Sequence, residues 1–191
     1  MKQSRSESME KSEKDTLMIA YTTMDSAVGR LLIASTDHGL LGIGFLQNGV
    51  EEAVSRLEKA YPGDTLVEDL ATNRDALNQL QEYFQGRRRV FTLPLELRGT
   101  EFQRSVWEAV AGVPYGETRS YGYIARKLGK PKAYRAVGAA NGANPIPIVI
   151  PCHRIIGSDG SMTGFGGGIP IKEKLLVLEK AWMIKENTDD A

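Results

Sequence analysis

SYGYIARKLGKPKAYRAVGAAN, residues 120–141, sets the architecture of the C-terminal half of the chain. Ser120 is a good N-cap for a short helix through Ile124, Ala125 and Leu128, and Gly129 ends it. Pro131 suits the first turn of a second helix that runs to about Asn141. Two short helices joined by a tight glycine-containing turn read as helix-turn-helix. Residues 132–140 are nearly all small around one arginine, Arg135. Such a slim helix either packs tightly on a neighbour or brings its backbone to a narrow groove. The minor groove of B-DNA, about 6 Å wide, is one such groove.

Upstream, Thr100-Glu101-Phe102-Gln103 has the form of a capping box. Phe102, Val106 and Val110 then make an apolar stripe beside Trp107, which Val113-Pro114-Tyr115-Gly116 ends. Downstream, the turn-forming Asn141-Gly142-Ala143-Asn144-Pro145 leads through Ile146-Pro147-Ile148-Val149-Ile150 to Pro151-Cys152. Three prolines argue against a central strand and for a stiff, extended, buried support. Glycine-rich residues 157–160 and 164–168 lack the Lys-Ser/Thr of a P-loop, so they read as the wall of a pocket. A last helix over 171–183 puts Ile171, Leu175, Leu178 and Trp182 on one face, with Glu179 at its border.

The N-terminal half has a different character. Residues 1–16 are polar and read as a disordered tail. Strands are expected at 17–22, 29–35 and 40–45, with a turn at Asp37-His38-Gly39. Helices are expected at 50–61 and 74–84, then a strand at 90–95. This is a small α/β domain with no residue that reads as catalytic, and His38 is an ordinary turn histidine.

Lysine plus arginine equals aspartate plus glutamate, 24 against 24, so net charge names no partner. Its distribution is more telling. Between Thr118 and Ser158 there are seven cations and no acid: Arg119, Arg126, Lys127, Lys130, Lys132, Arg135 and Arg154. Such a stretch is either a solvated face or the footprint of a polyanion. No apolar run approaches a membrane span and the first residues have no signal-peptide core, so a cytoplasmic location is expected.

Cys152 is the only cysteine, so neither a disulfide nor a cysteine cluster for a metal is available. His153 and Arg154 beside it favour the nucleophilic thiolate. In an extended chain adjacent side chains diverge, so Cys152 and His153 need a bridging water or a sharp turn to cooperate. Glu179, if it turns inward, can hold the imidazole in one tautomer.

Together these residues resemble the O6-alkylguanine-DNA alkyltransferases. The matching string includes Phe102-Gln103, Val106-Trp107, Val113-Pro114-Tyr115-Gly116-Glu117-Thr118 and Ser120-Tyr121-Gly122. It continues through Pro131-Lys132-Ala133, Arg135-Ala136-Val137-Gly138, Asn144-Pro145, Ile150-Pro151-Cys152-His153-Arg154, Thr163-Gly164-Phe165 and residues 172–179. The resemblance implies an α+β fold. A ribonuclease H-like domain at 17–97 would precede a mainly helical, winged helix-turn-helix-type catalytic domain at 98–186, with a short tail at 187–191.

It also implies a single-turnover reaction on alkylated double-stranded DNA by a monomer, with no cofactor and no metal. Cys152 would take the alkyl group from guanine O6, with O4-alkylthymine a second candidate substrate. His153 would accept the thiol proton through a water, Glu179 would orient His153, and Asn144 would hold the turn. Tyr121 would help rotate the nucleotide and protonate guanine N3, and Arg135 would fill the vacated stack. Ala133, Ala136, Gly138 and Arg154 would face DNA. Cys152, Ile155, Phe165, Gly166 and Trp107 would form the substrate pocket, with carbonyls of Cys152 and Ile155 reading the guanine amine and the Gly166 N–H facing O6.

Phe165 stands where the family often has tyrosine. Gly166, where some members have serine, widens the pocket. The N-terminal domain has no cysteine for the zinc that some relatives carry. Two other readings stay open: a non-catalytic sensor of alkylated DNA, against which the thiol speaks, and a Cys–His–Glu hydrolase that uses the same three groups.

Overall fold

The computed structural model describes residues 16–180. Four strands, β1 (Met18–Met24), β2 (Leu31–Thr36), β3 (Gly39–Phe45) and β4 (Thr65–Glu68), form a sheet in the order β3-β2-β1-β4. The first three are antiparallel neighbours and β4 lies parallel to β1, reached through helix α1 (Val50–Ala60). Helix α2 (Arg74–Phe84) completes the N-terminal part.

Every residue of β2 is buried, because both faces of the sheet are covered. Leu32 and Ala34 join Leu41 and Ala53 beneath α1, whereas Leu31 and Ile33 join the core of the C-terminal helices. The register shifts between Ala34 and Ser35, which pair with Gly42 and Leu40, leaving Leu41 as the bulged residue.

The C-terminal part packs α3 (Glu101–Ala111), α4 (Tyr121–Lys127) and α5 (Tyr134–Gly142) around Trp107, whose indole N–H donates to the Ala140 carbonyl at 2.8 Å. Thr100 and Gln103 make the expected capping box, and Ser120 caps α4 through the Tyr123 N–H. A short parallel pair, β5 (Arg119–Ser120) with β6 (Ile155–Ile156), ties the helix-turn-helix to the segment after Cys152. Helix α6 (Ile169–Leu178) follows.

Strand β4 went unread in the sequence, because four largely exposed residues at an edge are defined only by their pairing with β1. The strand expected at 90–95 is instead an extended segment with one bridge, Leu95 to Leu40. Part of its backbone is satisfied by a side chain, Gln79 accepting from the Thr92 N–H at 2.9 Å. Pro131 lies in a turn before α5, which begins at Tyr134. Helix α6 stops at Leu178 rather than running to 183, since Lys180 adopts φ 58°. The tail expected before Thr16, and Trp182, lie outside the described residues.

The free edge of β3 is not left open. Its amides at Leu40 and Ile43 donate to the carbonyls of Pro94 and Pro145, each at 2.9 Å. The second of these bonds fastens the turn ahead of Cys152 to the N-terminal sheet.

Candidate active site

The segment from Asn144 to Cys152 doubles back on itself. Asn144 braces it twice, donating to the Ile150 carbonyl at 2.8 Å and accepting from the Ile146 N–H at 3.0 Å. Between them Ile148 sits at φ 77°, a conformation that costs a β-branched residue roughly 1–3 kcal/mol. Complete burial of Ile146, Ile148 and Ile150 holds it there. The extended support expected from the prolines is thus a strained, side-chain-braced loop.

Cys152 opens a 3-10 turn, Cys152–Arg154, the sharp turn that lets neighbours in sequence act on one site. His153 is wholly buried, and its Nε2 lies 2.8 Å from Glu179 Oε1. The carboxylate accepts, so Nε2 carries the proton and Nδ1 is left bare. Nδ1 is buried with no hydrogen-bond partner among the described residues.

Glu179 sits just past the end of α6 and is buried rather than at the surface. It also accepts two N–H groups from Arg154, at 2.8 and 2.9 Å, and the hydroxyl of Tyr83 at 2.7 Å. The Arg154 guanidinium donates further to the Val113 carbonyl at 2.5 Å. Burial pushes the Glu179 carboxyl up, but the hydrogen bonds and charges of His153 and Arg154 outweigh it and bring the group to about 2. Burial holds His153 below its ordinary 6.5, against the pull of Glu179. The resting pair is therefore neutral imidazole on ionised carboxylate.

Burial pushes the Cys152 thiol up to about 11, opposed by the Asn144 amide and the charge of Lys172. Lys172 is itself buried, donating to the carbonyls of Ile155 at 2.6 Å and Thr163 at 3.0 Å. Burial lowers it to about 8, although the thiol pulls the other way. The resting thiol is protonated and needs a base when it reacts.

Cys152 lines a cavity of about 330 Å3 together with Asn144, Pro147, Gly164, Phe165 and Gly166. Phe165 packs against Phe45 with ring centroids 5.5 Å apart. A Cβ on Gly167 would sit 2.8 Å from the Phe45 ring, so only glycine lets the loop approach β3 this closely. Beside the cavity, the Tyr121 hydroxyl donates to the Thr163 carbonyl at 3.1 Å. The Tyr121 ring lies against Gly138, where an added Cβ would meet it at an ordinary 3.8 Å.

Arg135 and Ala136 are exposed on α5, with Ala133 and Gly138 partly so. Arg126, Lys127, Lys130 and Lys132 are exposed too, whereas Arg119 pairs with Glu117. Three expectations need correction. Arg154 is inside the protein, paired with Glu179, because a charge at that depth needs a partner; it does not face DNA. Trp107 is a core residue of the helical bundle and does not line the Cys152 cavity. Ile155 is likewise absent from that lining, with its side chain in the core and its carbonyl on Lys172.

Tyr83, Lys172 and Asn141, which donates to the Cys152 carbonyl at 3.3 Å, were not read from the sequence as site residues. Lys172 carried a signal: it shares the apolar face of α6 with Leu175, Leu176 and Glu179 at helical spacing. Tyr83 carried none, since its partner is 96 residues away. It brings the N-terminal half, in which no residue reads as catalytic, into contact with the site.

The sequence profile described as "6-O-methylguanine DNA methyltransferase, DNA binding domain" matches residues 101–181, and its "ribonuclease-like domain" counterpart matches 19–97. A methylated-DNA–protein-cysteine methyltransferase of Methanosarcina barkeri is 48% identical over 160 residues, covering 84% of this chain and 96% of the relative. An inducible enzyme of the same name from Bacillus subtilis is 47% identical over 148 residues, covering 78% and 83%. The crystal structure of Mycobacterium tuberculosis O6-methylguanine methyltransferase superposes with a TM-score of 0.74 at 43% identity, covering 88% of this chain and 97% of that one. The Mycobacterium tuberculosis OGT in complex with DNA gives 0.72 at 43% identity, covering 86% and 93%. With both of its halves matched, and with relatives this similar along nearly their whole length, the chain belongs to the 6-O-methylguanine DNA methyltransferase family.

Proposed function

We propose that this chain repairs duplex DNA by taking an alkyl group, methyl in the simplest case, from guanine O6 onto Cys152, once per molecule. The observation that carries the reading is the buried series Cys152–His153–Glu179, in which His153 offers a bare Nδ1 while Glu179 fixes its tautomer. A relative of this chain is known in complex with DNA, and the exposed Arg126, Lys127, Lys130, Lys132 and Arg135 supply the charge that phosphates require.

The alkylated carbon is out of reach in a stacked base pair, so the nucleotide leaves the duplex at a cost of a few kcal/mol. Slim helix α5 enters the minor groove, Arg135 fills the gap, and Tyr121 guides the base toward the cavity. The cavity presents Cys152, Phe165 for stacking and the Gly166 backbone.

With its thiol at about 11, Cys152 carries about one thiolate in ten thousand at pH 7, so attack requires proton removal in place. His153 Nδ1 takes the proton, through a water, and Glu179 stabilises the imidazolium. Lys172 and the Asn144 amide favour the thiolate as it forms. Sγ then displaces guanine O6 at the alkyl carbon: the S–C bond forms, the C–O bond breaks, and O6 keeps the electron pair. Tyr121 helps by donating toward N3, and overall the thiol proton ends on guanine. The thioether is stable, so no turnover follows. A free thiol as the reactive group accords with the reducing cytoplasm as the place of action. No helix among the described residues is long and apolar enough to cross a membrane.

Titration with a duplex bearing one O6-methylguanine tests this. Repaired DNA should rise with protein and stop at one lesion per chain. Continued turnover, or no repair, would refute it.

A further inference from the structure

Among the described residues, four buried side-chain nitrogens or oxygens lack a hydrogen-bond partner, and His153 Nδ1 and Asn141 Oδ1 are two of them. Asn141, near the end of α5, is 3% exposed, and His153 is wholly buried. An unmet acceptor at that depth is costly, so native proteins pair such atoms with protein groups or ordered water.

Asn141 is tied to the nucleophilic residue itself. Its Nδ2 donates to the Cys152 carbonyl at 3.3 Å, and the residue borders the cavity that Cys152 lines. The carbonyl needs a donor, which fixes the end of the amide that carries hydrogen. The carbon of that carbonyl is bonded to the His153 nitrogen, so the amide stands at the junction between thiol and imidazole. Asn144, the other amide beside the thiol, has its own oxygen committed to the Ile146 N–H.

Nδ1 and Oδ1 are both acceptors, so neither satisfies the other. A water satisfies both with its two O–H groups and keeps its lone pairs for the thiol. Buried waters make about three hydrogen bonds, and imidazole, amide and thiol supply three.

We propose that Asn141 is a positioning residue whose Oδ1 holds the water that carries the Cys152 proton to His153. The proposal rests on the alkyl-transfer reading above. The thiol proton passes to the water oxygen as one of the water's own protons passes to Nδ1, so the water ends neutral. Its other O–H stays on Oδ1 throughout, which keeps the water from turning away from sulfur and imidazole. The partial negative charge of Oδ1 also favours the positive charge that builds on the water in transit.

A crystal structure of the unreacted wild-type chain should show one water in contact with Sγ and within about 3.2 Å of both Nδ1 and Oδ1. Asn141→Leu keeps the volume and removes the acceptor. Its single-turnover methyl transfer from a duplex bearing O6-methylguanine should fall about ten-fold or more at pH 7. The shortfall should close at least about three-fold by pH 9, where about a hundred times more thiolate exists ready-made. Lys172, at about 8, loses charge over this range in both proteins, so the ratio of the two rates is the readout. A purely structural role would lower the rate by the same factor at every pH. A pH-independent shortfall, or a variant as fast as wild type at pH 7, would overturn the proposal. A bridging water out of reach of Oδ1 would also overturn it, and that result does not depend on the variant folding. Wild type that transfers no methyl would overturn the repair reading and the relay with it.

Discussion

Replacing Glu179 by glutamine preserves its shape and removes its charge, which isolates what that charge does. The carboxylate receives His153, two N–H groups of Arg154 and the Tyr83 hydroxyl, all inside the protein. Glutamine leaves the buried Arg154 charge unbalanced. The group stands at about 2 in the folded protein against an ordinary 4.5, which by linkage corresponds to about 3 kcal/mol at neutral pH. Breaking a buried ion pair from one side costs about 3–5 kcal/mol, so the two routes agree. Because the folded value is depressed, this stability is fully present above about pH 4.5 and is lost as pH falls toward about 2. Glu179→Gln lacks that titration. Urea unfolding should therefore show a gap of about 3 kcal/mol at pH 7 that narrows by about 1 kcal/mol at about pH 3.5. A gap that does not change with pH, or a variant as stable as wild type at pH 7, would refute the role given to this charge.

Tyr83→Phe removes one donor from an ionised acceptor that keeps four others, so it should cost about 1–2 kcal/mol and lower Tm by about 3–6 °C; an unchanged Tm would contradict the bond. Arg135→Ala should slow transfer from duplex DNA about ten-fold or more while leaving reaction with free O6-benzylguanine nearly unchanged, and equal losses on both would deny Arg135 its place in the stack. With Cys152 raised to about 11, the folded protein at pH 8 holds about 0.1% thiolate, so iodoacetamide should label it at least about ten-fold more slowly than it labels the urea-unfolded chain. Equally fast labelling would mean the resting thiol is already ionised.

The features legible in the sequence were those with local causes. Thr100 and Gln103 lie three residues apart and cap α3 by themselves, and the boundaries of α2 follow from one apolar stripe. Cys152 and His153 could be suspected because one thiol and one imidazole stand together, and Glu179 because it borders an apolar face. The roles of Arg154 and Tyr83 were hidden by distance. Whether an arginine beside the nucleophile points to DNA or into the protein depends on a carboxylate 25 residues away. The helix end that turns Glu179 inward depends on a single positive φ at Lys180, a residue with no strong preference for it.

The central claim is that Cys152 keeps the alkyl group. The protein should be mixed with a duplex carrying one O6-methylguanine and then weighed, intact and as peptides. One methyl per chain, found on Cys152, unchanged by excess DNA and absent from Cys152→Ala, is the predicted result. Repair without a gain in mass, or a methyl on any other residue, would contradict the account.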